Sequence, residues 1–137
     1  MEVEFETDGK IDVWFFQDTS GSCYHLAERF FKAASSLNPK VFNIRLFCFD
    51  TKVYETTLKS GKLYGFGGTM FNIIEQYIQG EISSTKQKYP SAVFVITDGY
   101  GNLVKPQYPK QWYWFLSTDY RYCIPQECNV FQLKNFE

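Results

Sequence analysis

Apolar and polar positions along this chain follow two different periods. Residues 11–16 (IDVWFF) form a nearly continuous apolar run, the pattern of a strand buried on both faces. From Cys23 the spacing changes. Cys23, Leu26, Ala27, Phe30, Phe31, Ala34 and Leu37 recur every three or four residues, one stripe of an amphipathic helix that Asn38-Pro39 ends. Residues 41–50 (VFNIRLFCFD) read as a second strand, and 53–58 as a short, partly polar one. The tight turn at Asp50-Thr51-Lys52 makes that pair an antiparallel hairpin at a sheet edge. A glycine-rich loop, 61–68, then leads into a second helix. Its apolar stripe is Met70, Ile73, Ile74, Tyr77, Ile78 and Ile82, with Asn72, Glu75, Gln76, Gln79 and Glu81 towards water. Residues 92–97 (AVFVIT) are another buried strand, and 99–111 a loop holding Gly99, Gly101, Pro106 and Pro109. The last strands are 112–116 (WYWFL) and 129–133 (NVFQL).

Buried strands alternating with helices predict an α/β architecture. The sheet is expected to be Rossmann-like and mostly parallel, with one antiparallel edge strand and helices on both faces. At 137 residues, with no linker, repeat or low-complexity segment, the chain reads as one domain with its core over 11–133. Hydrophobic residues at 45% supply a packed core and exclude a disordered chain. Fourteen Lys and Arg against 15 Asp and Glu leave no basic excess for a phosphate backbone. The WYWFL run is therefore a core strand rather than a base-stacking platform, and no nucleic acid is expected as a partner. No run approaches the roughly 18 apolar residues of a membrane span. The acidic start, MEVEFE, is unlike a signal peptide, so the expected compartment is cytoplasmic.

The four cysteines, Cys23, Cys48, Cys123 and Cys128, make no CxxC pair and mostly sit in apolar runs, as reduced, buried thiols do. A zinc site on Cys123 and Cys128 would need two further ligands, and the chain has one histidine, His25.

Candidate chemistry collects at strand ends. In open α/β sheets ligands bind beyond the carboxyl ends of the strands. The first strand runs into Asp18-Thr19-Ser20-Gly21-Ser22, the glycine loop delivers Gly67-Gly68-Thr69, and AVFVI runs into Thr97-Asp98-Gly99. Asp18, Ser20, Ser22, Thr69 and Asp98 all present hard oxygen atoms. Two carboxylates offset a divalent charge and three hydroxyls fill further positions, which suits Mg²⁺, with Mn²⁺ or Ca²⁺ as alternatives. Helix starts at Ser22 and Thr69 would favour an anion on that metal. Taken singly, the serines and Thr69 are also ordinary helix caps, and T-D-G is an ordinary turn.

The ordered set D-T-S-G-S at 18–22, G-G-T at 67–69 and T-D-G at 97–99 resembles the von Willebrand factor A (VWA) domains with their metal-ion-dependent adhesion site (MIDAS). The likeness extends over about 11–133. The TDGYG run, the prolines after it and the strand from Trp112 look most like bacterial and phage VWA-like domains. Those follow a metallopeptidase-like domain and are often encoded near MoxR-type AAA+ ATPases. No HExxH occurs here, so the peptidase portion is absent from this chain.

The resemblance implies a compact VWA fold with trimmed helices. It also implies a protein–protein interaction module rather than an enzyme. Asp18, Ser20, Ser22, Thr69 and Asp98 would hold Mg²⁺, and a Glu or Asp carboxylate of a partner protein would complete the shell, with adaptor duty for an AAA+ ATPase as the implied setting. Thr19, Cys23, Tyr24, the 61–68 loop and the 100–108 loop would form the rim, anchored by Tyr64, Phe66, Tyr100 and Tyr108.

The rival reading is a Mg²⁺-dependent phosphatase or phosphotransferase with Asp18 as nucleophile. Ser20 stands where such an enzyme carries its acid/base carboxylate, and Asp98-Gly-Tyr-Gly-Asn102 lacks the extra aspartate such sites use for metal. His25 follows Ser22 on the same predicted helix and is poorly placed to be its base, and no GK[ST] makes a P-loop.

Overall fold

Strand β1 (Ile11–Asp18) runs through the middle of a six-stranded sheet, flanked by parallel partners on both sides. The computed structural model describes residues 9–21 and 23–136. After β1 come helix α1 (Ala27–Ser35), β2 (Phe42–Phe49), β3 (Val53–Thr56), helix α2 (Asn72–Thr85), β4 (Ala92–Thr97), β5 (Trp112–Leu116) and β6 (Asn129–Gln132). The strand order is β3-β2-β1-β4-β5-β6, and only β3, paired with β2, is antiparallel. The α/β class, the mostly parallel sheet and the antiparallel edge strand are as the periodicities predict. The chain moves to one side of β1 through β2 and β3, then returns to the other side through β4. The carboxyl ends of β1 and β4 thus meet where the order reverses, the position at which open sheets make ligand crevices.

Side chains alternate along each strand because the backbone is pleated. Trp14, Phe16, Phe47, Phe49, Val93, Val95, Trp112 and Trp114 cluster with Phe71, Ile74 and Ile78 of the α2 segment. Val13, Phe15, Leu46 and Ile96 cluster with Cys23, Leu26, Phe30 and Ala34 of the α1 segment. Trp112, Trp114 and Leu116 are buried, as the core reading of the WYWFL strand requires.

Among the described residues there are two α-helices. The β4–β5 and β5–β6 connections cross without one, and beside α1 a groove of about 780 Å³ runs over Phe94, Ile96 and Phe115.

Boundaries differ from expectation where polar groups intervene. β1 extends through Gln17 to Asp18 because Asp18 still pairs with Phe49. The first helix opens as a 3-10 turn, Tyr24–Leu26, before α1. Met70 precedes α2, its amide donating to the Asp50 carbonyl (2.9 Å). The polar side of α2 is engaged rather than free. Glu75 accepts from the Tyr89 hydroxyl (2.7 Å), and Glu81 pairs with Arg45 of β2 (2.7 Å). The Arg45 guanidinium also meets Glu55 of β3 at 2.9 Å and lies 4.7 Å from the Trp14 ring centroid, tying edge strand, sheet and helix together.

Candidate metal centre

The first loop is built by β1 itself. Beyond Asp18 the chain stays pinned to the neighbouring strand, for the Thr19 amide donates to the Phe49 carbonyl (2.9 Å). The Thr19 hydroxyl donates to the carbonyls of Phe49 (3.0 Å) and Tyr64 (2.7 Å). The Ser20 amide then turns back onto Asp18 Oδ1 (2.9 Å), and the Cys23 amide reaches the Ser20 carbonyl (2.9 Å). This turn leaves Asp18, Ser20 and Cys23 around one point, all buried. Ser22, the fifth expected ligand, lies outside the described residues, as does the side chain of Tyr24.

The glycine loop is held by Asp50, a residue the sequence marked only as a turn. Its carboxylate accepts from the amides of Lys52 (2.9 Å) and Gly67 (3.1 Å). Gly65 is at φ +112°, and a Cβ there would stand 2.8 Å from the Thr19 hydroxyl and 2.9 Å from the Asp50 carboxylate, so only glycine lets the loop close this tightly.

The loop delivers Thr69, whose hydroxyl lies 3.4 Å and 3.5 Å from the two Asp18 oxygens. Thr69 is not the cap of α2. Asn102 takes that role from across the molecule, its Oδ1 accepting from the amides of Phe71 (2.6 Å) and Asn72 (3.2 Å). The remote cap frees the threonine hydroxyl to face the carboxylate.

The third segment follows β4. The Thr97 hydroxyl donates to Asp18 Oδ2 (2.6 Å) and accepts from the Gly99 amide (3.1 Å). Asp98 is 7% exposed, and its Oδ1 accepts from the Tyr100 amide (3.0 Å). Gly99 is at φ +91°, and a Cβ on it would collide with the Tyr120 carbonyl, so the turn that aims Asp98 requires glycine.

Asp18 is fully buried, and its donors are the neutral groups of Ser20, Thr69 and Thr97. Burial raises its carboxyl above the ordinary value. The Thr97 hydroxyl, the Ser20 amide and hydroxyl and the Cys23 thiol pull the other way without cancelling it. A desolvated carboxylate among neutral donors is an arrangement that a cation would stabilise.

The structure therefore brings Asp18, Ser20, Thr69 and Asp98 towards one corner, from the three predicted segments. It adds two residues to them. Thr97 carried a signal, since its hydroxyl ends an otherwise apolar strand. Cys23 was expected only at the rim and carried no signal as a ligand, because it sits on the apolar stripe of the helix, yet its sulfur and carboxylate oxygens of Asp18 and Asp98 all lie within 4.8 Å of one another.

The expected rim needs correction. Thr19 and Cys23 are buried, their polar groups turned inward. Tyr108 packs on Tyr89 at 4.9 Å, beside the amino end of β4, because the loop has by then crossed to the start of β5. Tyr64, Phe66 and Tyr100 are exposed. Tyr100 stacks on Tyr120 at 4.1 Å, and Tyr120 meets Tyr122 at 5.2 Å, a cluster no periodicity announces. All four cysteines are buried free thiols. No helix among the described residues is long and apolar enough to cross a membrane.

Compared with family models and with curated proteins, the chain matches none.

Proposed function

We propose that this chain is a VWA-like binding module of the bacterial and phage kind, compact and Rossmann-like with one helix to each face of the sheet. Its site holds a divalent cation in a MIDAS-type shell. Asp18 and Asp98 supply the carboxylates, and Ser20, Ser22 and Thr69 the hydroxyls. Mg²⁺ suits that hard oxygen set, with Mn²⁺ its spectroscopic stand-in. The bound cation would supply a coordination position for a Glu or Asp carboxylate of a partner protein. An adaptor for an AAA+ ATPase is the setting that fits such a module.

One observation carries the reading. Asp18 is fully buried, is served by neutral donors alone among the described residues, and stands where the strand order reverses. The exposed Tyr100, Phe66 and Tyr64 would give a partner apolar anchors around that polar centre. Ser20 at the second position after Asp18 favours binding over phosphoryl transfer, which would need an acid/base carboxylate there.

The test is a Mn²⁺ titration followed by electron paramagnetic resonance, with Mg²⁺ as competitor and a short Glu-containing peptide as carboxylate probe. We expect one Mg²⁺-displaceable site in the native chain, a perturbed Mn²⁺ signal with the peptide, and no site in Asp18→Ala. Mn²⁺ binding undiminished in Asp18→Ala overturns the reading.

A further inference from the structure

Cys23 belongs to no role described so far, and its position is unusual for a thiol. Cys48 accepts a hydrogen bond from the Tyr64 amide (3.1 Å), and Cys123 donates to the Gly101 carbonyl (3.2 Å), so both are tied to backbone groups. Cys23, which also hydrogen-bonds Ser20 and the Asp98 backbone, lies between two carboxylates. It is fully buried, its thiol hydrogen-bonds Asp18, and the ligating atoms of Asp18, Cys23 and Asp98 lie within 4.8 Å of one another. The turn from Ser20 holds it there through the Cys23 amide (2.9 Å to the Ser20 carbonyl). Two carboxylate oxygens and one sulfur from three buried residues make a mixed hard and soft donor set.

We infer that this centre takes a thiophilic divalent cation, Zn²⁺ or Co²⁺, through Asp18, Cys23 and Asp98. The inference shares its carboxylates with the Mg²⁺ reading but needs none of the hydroxyls. The donor chemistry separates the two ions. Mg²⁺ demands oxygen and has no use for sulfur, so with Mg²⁺ the side chain stays a thiol. Zn²⁺ binds thiolate, and as the sulfur–metal bond forms the thiol proton leaves to solvent. Affinity for an N/O/S site rises from Mn²⁺ through Co²⁺, with Zn²⁺ also well above Mn²⁺, so sulfur in the shell widens a gap already present.

The experiment uses the whole chain and the metals alone. X-ray absorption at the zinc edge of the native protein should show one sulfur neighbour at about 2.3 Å, among oxygens. Co²⁺ should give a thiolate-to-metal charge-transfer band in the near ultraviolet. Cys23→Ser should lose both signals and weaken Zn²⁺ binding about tenfold or more, while Mn²⁺ affinity stays within about twofold. Asp18→Asn, which keeps the thiol and removes a carboxylate ligand, should weaken Zn²⁺ comparably and serves if Cys23→Ser does not fold. A zinc shell without sulfur, or undiminished Zn²⁺ binding in Cys23→Ser, overturns the inference. Mn²⁺ binding with no sulfur on zinc sinks this inference and leaves the oxygen-shell reading standing. A zinc–sulfur shell with no Mn²⁺ site does the reverse. Failure of both ions to bind overturns both.

Discussion

Two charge clusters in this molecule answer the same problem in opposite ways. On the α2 side of the sheet, Arg45 meets Glu55 and Glu81 at 2.9 Å and 2.7 Å and lies over the Trp14 ring. One cation and two anions, all partly open to water, close the account within the protein. At the carboxyl ends of β1 and β4, Asp18 is fully buried and, among the described residues, receives hydrogen bonds from neutral groups only. Its burial raises the carboxyl, as expected of a charge that lacks its counter-charge. The first cluster is structural and complete. In the second, the described residues supply only neutral donors, and that difference is the physical ground for the proposed site.

The largest effect should come from supplying the missing charge. With Mg²⁺ at a hundredfold excess over its Kd, the native chain should gain about 2.7 kcal/mol, seen as a rise in Tm that EDTA reverses. Asp18→Asn should gain nothing from Mg²⁺, yet melt above the native chain in EDTA at neutral pH, because a neutral side chain escapes the desolvation penalty. The pH dependence has a definite sign. Asp18 is raised in the folded state, so the folded chain holds a proton that the unfolded chain releases, and this contribution to stability fades as pH rises beyond about 3.9. Melting curves in EDTA across that range should show the slope in the native chain and lose it in Asp18→Asn. A Mg²⁺ response retained in Asp18→Asn would erase the contrast between the two clusters.

A backbone change should act next most strongly. Gly99→Ala places a Cβ against the Tyr120 carbonyl at φ +91°, which should cost about 2 kcal/mol in urea unfolding and weaken Mn²⁺ binding together. Loss of stability with metal affinity intact would separate the Asp98 turn from the site. The smallest effect should be at the completed cluster. Arg45→Ala should cost about 1–2 kcal/mol and leave Mn²⁺ affinity unchanged. A change in Mn²⁺ affinity there would show that the two clusters communicate.

Fold and site were legible to different depths. Apolar periodicity carried every strand and both helices, because burial on both faces, on one stripe or at an edge leaves distinct spacings. Its errors sit at polar junctions, as where Met70 leaves α2 to bond Asp50, since a hydrogen bond to a distant residue has no period. Within the site, Asp18, Ser20, Thr69 and Asp98 could be read from local motifs, each being a short polar break after an apolar run. Thr97 could be suspected, because a hydroxyl at the end of a buried strand wants a partner. Asp50 and Asn102 could not, for each acts on a loop 17 to 31 residues away.

By itself, then, the sequence determined the α/β architecture, the edge hairpin and the polar strand ends, all of which follow from short-range spacing. Tertiary structure alone decided which strand ends meet. The order β3-β2-β1-β4-β5-β6 sets β1 beside β4 and so puts Asp18 within reach of Thr97 and Asp98. It also decided that Cys23, a core residue by its period, faces carboxylates. A helix stripe records which residues are buried, and what they are buried against depends on strand pairing that no local window contains.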